Sequence, residues 1–304
     1  MRIPVFLLFL LGLAPGAHAA VNAADFPTGT VWYLHADLER MRATESGSGM
    51  YNWLNGEIFV EINDEVGIDL NREVERLTAY SHDQLGTVIV VEGPVTSDTR
   101  DKLLALVALQ AKSDVHEFSG KTYYFASDGP GTAHDNGPLR DLDESAYFSF
   151  DVPGKMIVAS QEGQMHELLA NHGRIAGGGS HNGALFVLSA DREFVKAGLR
   201  TERFAGSEDS WDSNILRNTE QAAFMLSDRG GMLAFDLQLK SKDPRMAESI
   251  GSIVNGLVSL QMFNADLDPD IRVLIENTRI KVEDAMLNLS AVIDPKLLMR
   301  IIDE

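Results

Sequence analysis

A short passage of this chain occurs twice, once in each half, and that repetition limits the possible folds more than any other feature. Tyr33-Leu34-His35-Ala36-Asp37-Leu38-Glu39 reads again as Val187-Leu188-Ser189-Ala190-Asp191-Arg192-Glu193, with Leu, Ala, Asp and Glu in the same places. A second echo lays Leu77 to Arg100 over Ala222 to Arg245, with Asp83/Asp228, Gly86/Gly231, Asp98/Asp243 and Arg100/Arg245 in register. Self-similarity of this kind is the signature of a duplicated structural unit. It specifies an architecture and leaves the reaction, if there is one, unspecified.

Residues 1–19 place Arg2 before an apolar run from Val5 to Leu13, then Pro15-Gly16 and Ala17-His18-Ala19. That order is expected of a cleaved secretory signal whose apolar core is too short to span a bilayer. Export to the periplasm or beyond follows as the expected location. The chain has no cysteine, so disulfides, thiolate nucleophiles and Cys-rich zinc sites are excluded, and an exported fold must hold itself together through its core. With 26 Lys and Arg against 45 Asp and Glu, the net charge of -19 repels phosphate backbones and anionic lipid heads. Nucleic acid is therefore not an expected partner. After the leader no apolar stretch approaches the roughly 20 residues of a spanning helix.

Ala176-Gly177-Gly178-Gly179-Ser180-His181-Asn182-Gly183 has almost no side chains to bury and reads as a flexible joint. The expected organisation is a signal at 1–19, a first unit at 20–175, a Gly-rich linker at 176–183 and a second unit at 184–304. Within the first unit, apolar spacing predicts a helix from Met50 to Val66. Arg76 to Ser81 and Thr87 to Val91 form a hairpin around His82 to Gly86. A helix capped by Ser97 or Asp98 follows, and then two further hairpins. The second unit repeats this plan with parts removed, and its longest helix begins at Pro244, where a missing N–H does no harm. That helix should bury Met246, Ile250, Ile253, Val254, Leu257 and Val258. Strands joined by hairpins with helices between pairs predict the α+β class: two tandem repeated units, each a mainly antiparallel sheet with helices packed on one face. Because Val88 and Val90 alternate with Ile89 and Val91, few polar positions remain on either side, and both faces of that sheet need cover.

The sequence offers little catalytic machinery. No G-x-S-x-G elbow and no phosphate-cradling glycine loop are present, so serine hydrolysis and nucleotide use lack their usual scaffolds. His166 and His172 lie six apart, which on a helix places them on different faces rather than in a zinc pair. Asp266, Asp268 and Asp270 alternate as in a calcium loop, but Ile271 and Asn277 occupy the places of the required Gly and Glu. Weak divalent-ion binding and a helix-capping acidic turn both remain open there.

Three functional readings follow. The first is an exported binding or interaction protein for a protein, peptide or apolar ligand, with Trp32, Trp53, Tyr123, Tyr124, Phe204 and Trp211 as candidate aromatic anchors. The second is a hydrolase whose site is assembled from His35, Asp37, His82 and Asp83, which requires the two histidines within hydrogen-bonding reach of an acid or of each other. In the other half Ser189 and Ser227 replace the two histidines, while Asp191 and Asp228 retain the carboxylates in places where Asp caps helices and turns. The third is a structural or regulatory partner in the cell envelope. No cofactor is implied.

Overall fold

The computed structural model describes residues 26, 29–60, 63, 69–110, 112–127, 145–175, 183–192, 194, 218–263, 267 and 269–303. The expected signal at 1–19, most of the Gly-rich linker and the segment from Thr201 to Arg217 lie outside them. The chain is α+β, and every described strand pairs antiparallel with its sequence neighbour or with a strand brought in by a helical connection. It divides into two compact units. The amino-terminal unit comprises Ala24–Glu39 and Asn52–Ser180, while the carboxy-terminal unit takes His181–Glu304 together with Arg40–Tyr51.

In the amino-terminal unit, β1 (Thr30–Asp37) pairs with β2 (Arg76–His82), which turns into β3 (Gly86–Glu92). Helix α4 (Ser97–Gln110) follows, counting α1 (Leu38–Ala43), α2 (Glu45–Leu54) and α3 (Leu70–Glu73) before it. Then come the hairpins β4 (Lys112–Phe118) with β5 (Lys121–Ser127) and β6 (Ser145–Val152) with β7 (Lys155–Ala159), and helix α5 (Glu162–Ala170). The strand order is β1-β2-β3-β7-β6-β5-β4. The predicted helix from Met50 to Val66 differs in detail. Regular α-helix ends at Leu54, and Asn55–Phe59 widens into a π-turn. Asn55 and Gly56 are both weak helix formers, which lowers the cost of leaving α geometry there. The cap of α4 also differs, since Thr96 Oγ1 takes the N–H of Thr99 at 3.2 Å. Glu73, buried nearby, accepts from Thr96 N, Thr96 Oγ1 and Thr99 Oγ1 at 2.9, 3.2 and 2.7 Å and so holds Thr96 in the capping place.

The carboxy-terminal unit places β8 (Ala184–Asp191) beside β9 (Thr219–Arg229), β9 beside β10 (Met232–Ser241), β10 beside β12 (Met286–Ile293), and β11 (Arg279–Glu283) on the edge. Helices α6 (Pro244–Met262) and α7 (Pro269–Glu276) connect β10 to β11, and α8 (Pro295–Asp303) closes the chain. Asp243 caps α6 by accepting from Met246 N at 2.9 Å, with Pro244 in the first turn. The buried side of α6 is Ala247, Ile250, Gly251 and Val254, rotated from the expected face, and Ile253 is 43% exposed. The rotation follows from Gly251, whose missing Cβ would stand 2.6 Å from Val282 Cγ2. The helix settles where its small residue meets the sheet.

Segment Arg40–Tyr51 contributes Ser46 to the carboxy-terminal unit, where the Ser46 hydroxyl donates to Asp228 Oδ1 at 2.5 Å. Asp228 Oδ1 also accepts from Gly231 N across its own turn, and Asp191 Oδ1 accepts from Phe194 N at 2.9 Å. Both carboxylates thus serve backbone geometry.

Candidate functional site

The two faces of the amino-terminal sheet are built from alternating residues of the same strands, and along β3 and β7 they are covered differently, although Ala36 and Ala79, on the less covered face of β1 and β2, are themselves buried at 7%. On one face stand Val88 and Val90 of β3 with Ile157 and Ala159 of β7, at 0, 2, 0 and 0% exposure. Helix α5 lies here, burying Met165, Leu168 and Leu169. Its first turn is tied to the sheet by a polar network. The Tyr123 hydroxyl donates to Glu162 Oε1 at 2.6 Å and lies 3.0 Å from His166 Nε2. A phenol has one proton, so His166 is the donor in the second bond. The His166 ring stacks on Phe118 at 4.0 Å between centroids, and His116 stacks on Tyr123 at 5.2 Å. Burial, then the bond to Glu162, pushes the Tyr123 phenol up to about 12. The network keeps its tyrosine neutral and anchors a helix.

The opposite face carries Ile89 and Val91 of β3 and Val158 and Met156 of β7, cross-strand partners in pairs and all half-buried. Leu34 of β1, Leu77 of β2, Phe150 of β6 and Tyr124 of β5 extend the same surface and are half-buried too. Phe148 is more covered at 7%, stacking on Tyr124 at 5.2 Å, while Val115 on the outer strand β4 is 69% exposed. Along one end runs the row Trp32, Ser81 and Thr87, opposite one another on β1, β2 and β3. The Thr87 hydroxyl is fully buried and has no hydrogen-bond partner among the described residues.

An ion-pair group closes the far end of the α5 face. Glu92 accepts from Arg76 Nε at 2.7 Å and from Lys155 Nζ at 2.6 Å, and Arg76 also reaches Glu39 at 3.3 Å. Burial alone would push the Glu92 carboxyl up, but the hydrogen bonds and charges of Lys155 and Arg76 outweigh it and hold the carboxyl below its ordinary range. All its members are paired, so it acts as a clamp across β2, β3 and β7.

Of the aromatic anchors expected from sequence, Trp32 and Tyr124 share the half-covered face but stand five strand spacings apart, about 24 Å. Tyr123 points to the α5 face. Trp53 is half-buried on α2. Phe204 and Trp211 lie outside the described residues, as do Asp266 and Asp268, while the backbone of Asp270 is in α7. No group of three potential metal ligands occurs among the described residues. His35 Nδ1 is 2.8 Å from Thr78 Oγ1, its partner across the strands. His82 sits four residues further along β2, about 13 Å away. The His82 Nδ1 takes the N–H groups of Gln84 and Leu85 at 3.0 and 3.3 Å, and its ring occupies the space a Cβ on Gly29 would fill. The same Nδ1 lies 2.9 Å from Asp83 Oδ1, so every polar contact of this ring is made within its own turn. The two histidines are held apart, each by its own local structure.

Sequence reasoning passed over Ser81, Thr87, Met156 and Val158, although the doubly apolar alternation of β3 was a visible signal of a face needing cover. It also passed over Glu162, whose link to Tyr123 joins residues 39 apart.

No protein-family model and no curated protein matches this chain. Among solved structures, crystal forms I, IV and III of TP0453 are similar to it at 12, 11 and 13% identity, with TM-scores of 0.41, 0.46 and 0.40. They cover 93, 94 and 94% of this chain and 97, 98 and 99% of their own. At those values the likeness assigns neither an activity nor a site.

Proposed function

We propose that this is an exported binding protein whose amino-terminal unit takes an apolar ligand on the sheet face opposite α5. The observation that carries the reading is the contrast between neighbours on two strands. Val88, Val90, Ile157 and Ala159 are buried, whereas Ile89, Val91, Met156 and Val158, equally apolar, are half-buried. Each half-covered aliphatic side chain leaves on the order of 1 kcal/mol of transfer free energy uncollected, which an apolar ligand would supply. The leader-like sequence at 1–19 supports a periplasmic or secreted location, and the 176–183 glycine run supports a linker between the units.

We also read the two units as copies of one ancestral half. Their strand orders support this: β8-β9-β10-β12-β11 follows β1-β2-β3-β7-β6 step for step, with the β4–β5 hairpin as an insertion in the first copy. Asp37 and Asp191 both end the opening strand, and Asp83 and Asp228 both stand at the turn of the next hairpin.

Titration with the fluorescent apolar probe Nile red tests the binding reading. Val91→Thr and Met156→Gln keep the side chains near their size while making the face polar, and together they should weaken a saturable signal about tenfold in a chain whose circular dichroism shows it still folded. An unaltered titration curve would refute the proposed face.

A further inference from the structure

We propose that the outer edge of the amino-terminal sheet, strand β4, is the docking surface for a second copy of this chain, the two β4 strands pairing antiparallel across a two-fold axis at Val115. This surface is separate from the ligand reading above and does not rest on it. Strand β4 ends the strand order and has β5 as its strand partner. The hairpin between them turns through Ser119 and Gly120, both at positive φ, so the closing pair Phe118–Lys121 exchanges its main-chain bonds. Alternation from that pair turns His116 and Asp114 to β5 and leaves the N–H and C=O groups of Ser113, Val115 and Glu117 aimed outward. No main-chain group outside β5 bonds to them among the described residues. An open row of this kind templates another strand unless charge guards it. The edge strand β11 of the other unit is so guarded, by Arg279, Lys281 and Glu283, all exposed, whereas the middle of β4 is Val115 at 69% exposure.

The occupant follows from what this edge presents to itself. Because Ser113, Val115 and Glu117 carry the outward main-chain groups, they must pair among themselves, which leaves few registers. Centred on Val115, the pairing sets Ser113 opposite Glu117 of the second copy and Asp114 opposite its His116. Each carboxylate then meets a hydrogen-bond donor, and the two-fold repeats both pairs. Val115 packs on its own counterpart, with Tyr124 beside it on β5. Shifted by one step toward the amino end, Asp114 would face itself, like charges directly opposed; shifted the other way, Val115 would face Glu117 and His116 would face itself. The two-fold stands perpendicular to the sheet, so the half-covered faces of the two copies continue into one another. A short edge buries little area, and the dimer is accordingly weak and reversible.

Sedimentation velocity of the full chain at about 0.3 M salt, which screens the net charge of -19, should show a reversible dimer with a dissociation constant on the order of 10 μM. Val115→Lys gives β4 the guard that β11 has, and Val115→Pro removes an N–H aimed away from β5. Each should weaken the dimer at least about tenfold in a chain that circular dichroism shows still folded. Because the chain has no cysteine, Val115→Cys and Asp114→Cys each introduce a single thiol. With oxidised glutathione present, Val115→Cys should form a cross-linked dimer, since its Cα stands about 5.5 Å from its counterpart, whereas Asp114→Cys, more than about 7 Å from its own, should not. A monomer at every concentration up to about 500 μM, a dimer indifferent to Val115→Lys and Val115→Pro, or equal cross-linking of the two cysteine variants would overturn the proposal.

Discussion

Tyr80 and Tyr123 stand on the α5 face, and the phenols of both are pushed up to about 12. Burial is the larger cause in each case, joined by the charge of Glu167 for Tyr80 and by the bond to Glu162 for Tyr123. In the unfolded chain both phenols ionise near 10.0. A group whose folded value is raised contributes stability that is complete below the unfolded value and is lost as pH rises through the folded one. Chemical denaturation should therefore show stability falling between about pH 10 and pH 12, more steeply than in the double variant Tyr80→Phe, Tyr123→Phe. Parallel slopes would mean that neither phenol is shielded as described. The position of Tyr123 on a strand was legible from alternation, but its partners were not, because Glu162 and His166 are 39 and 43 residues away. Local pattern carries no information about which helix end will arrive at which strand.

Among elements, the hairpins were the most readable, since turn residues and alternating strands specify each other over a few positions. Helix ends were less so. Ser97 and Asp98 have good capping side chains, yet Thr96 caps α4 because Glu73 holds it, a contact formed by residues 23 apart. The turn before that helix depends on Gly93. Its φ of +152° is disfavoured for residues with a Cβ, and a Cβ there would stand 2.2 Å from the Glu73 carbonyl oxygen. Gly93→Ala must move backbone rather than a side chain, and so should cost about 2 kcal/mol or more of unfolding free energy. Equilibrium urea denaturation reads this directly; a loss below experimental error would show that the Glu73 turn gives way freely. The buried side of α6 was misplaced for a related reason. Hydropathy ranks Ile253 above Gly251, whereas packing against Val282 requires the smaller residue.

For the whole molecule, the α+β class and the antiparallel pairing were legible because strand period and hairpin turns recur along the chain. The compact units were not, because segment Arg40–Tyr51 is counted with the carboxy-terminal unit although it precedes β2 in sequence. The half-covered face also escaped the sequence. Alternation shows that Ile89 and Val91 need cover, but the long-range arrival of α5 decides that Val88 and Val90 receive it more fully. Exposed apolar residues exist elsewhere, notably Leu260 and Phe263 at the end of α6, at 68 and 87%. A binding measurement must therefore locate the ligand as well as detect it.

Methyl-resolved NMR of the full chain labelled at Ile, Val, Leu and Met, titrated with Nile red, does both at once. The methyls of Ile89, Val91, Met156 and Val158 should shift in a saturable manner, while those of Val88, Val90 and Ile157, on the same strands but beneath α5, remain in place. Shifts shared equally by the two sets, confined to Ile253 and Leu260 on α6, or absent altogether would contradict the account.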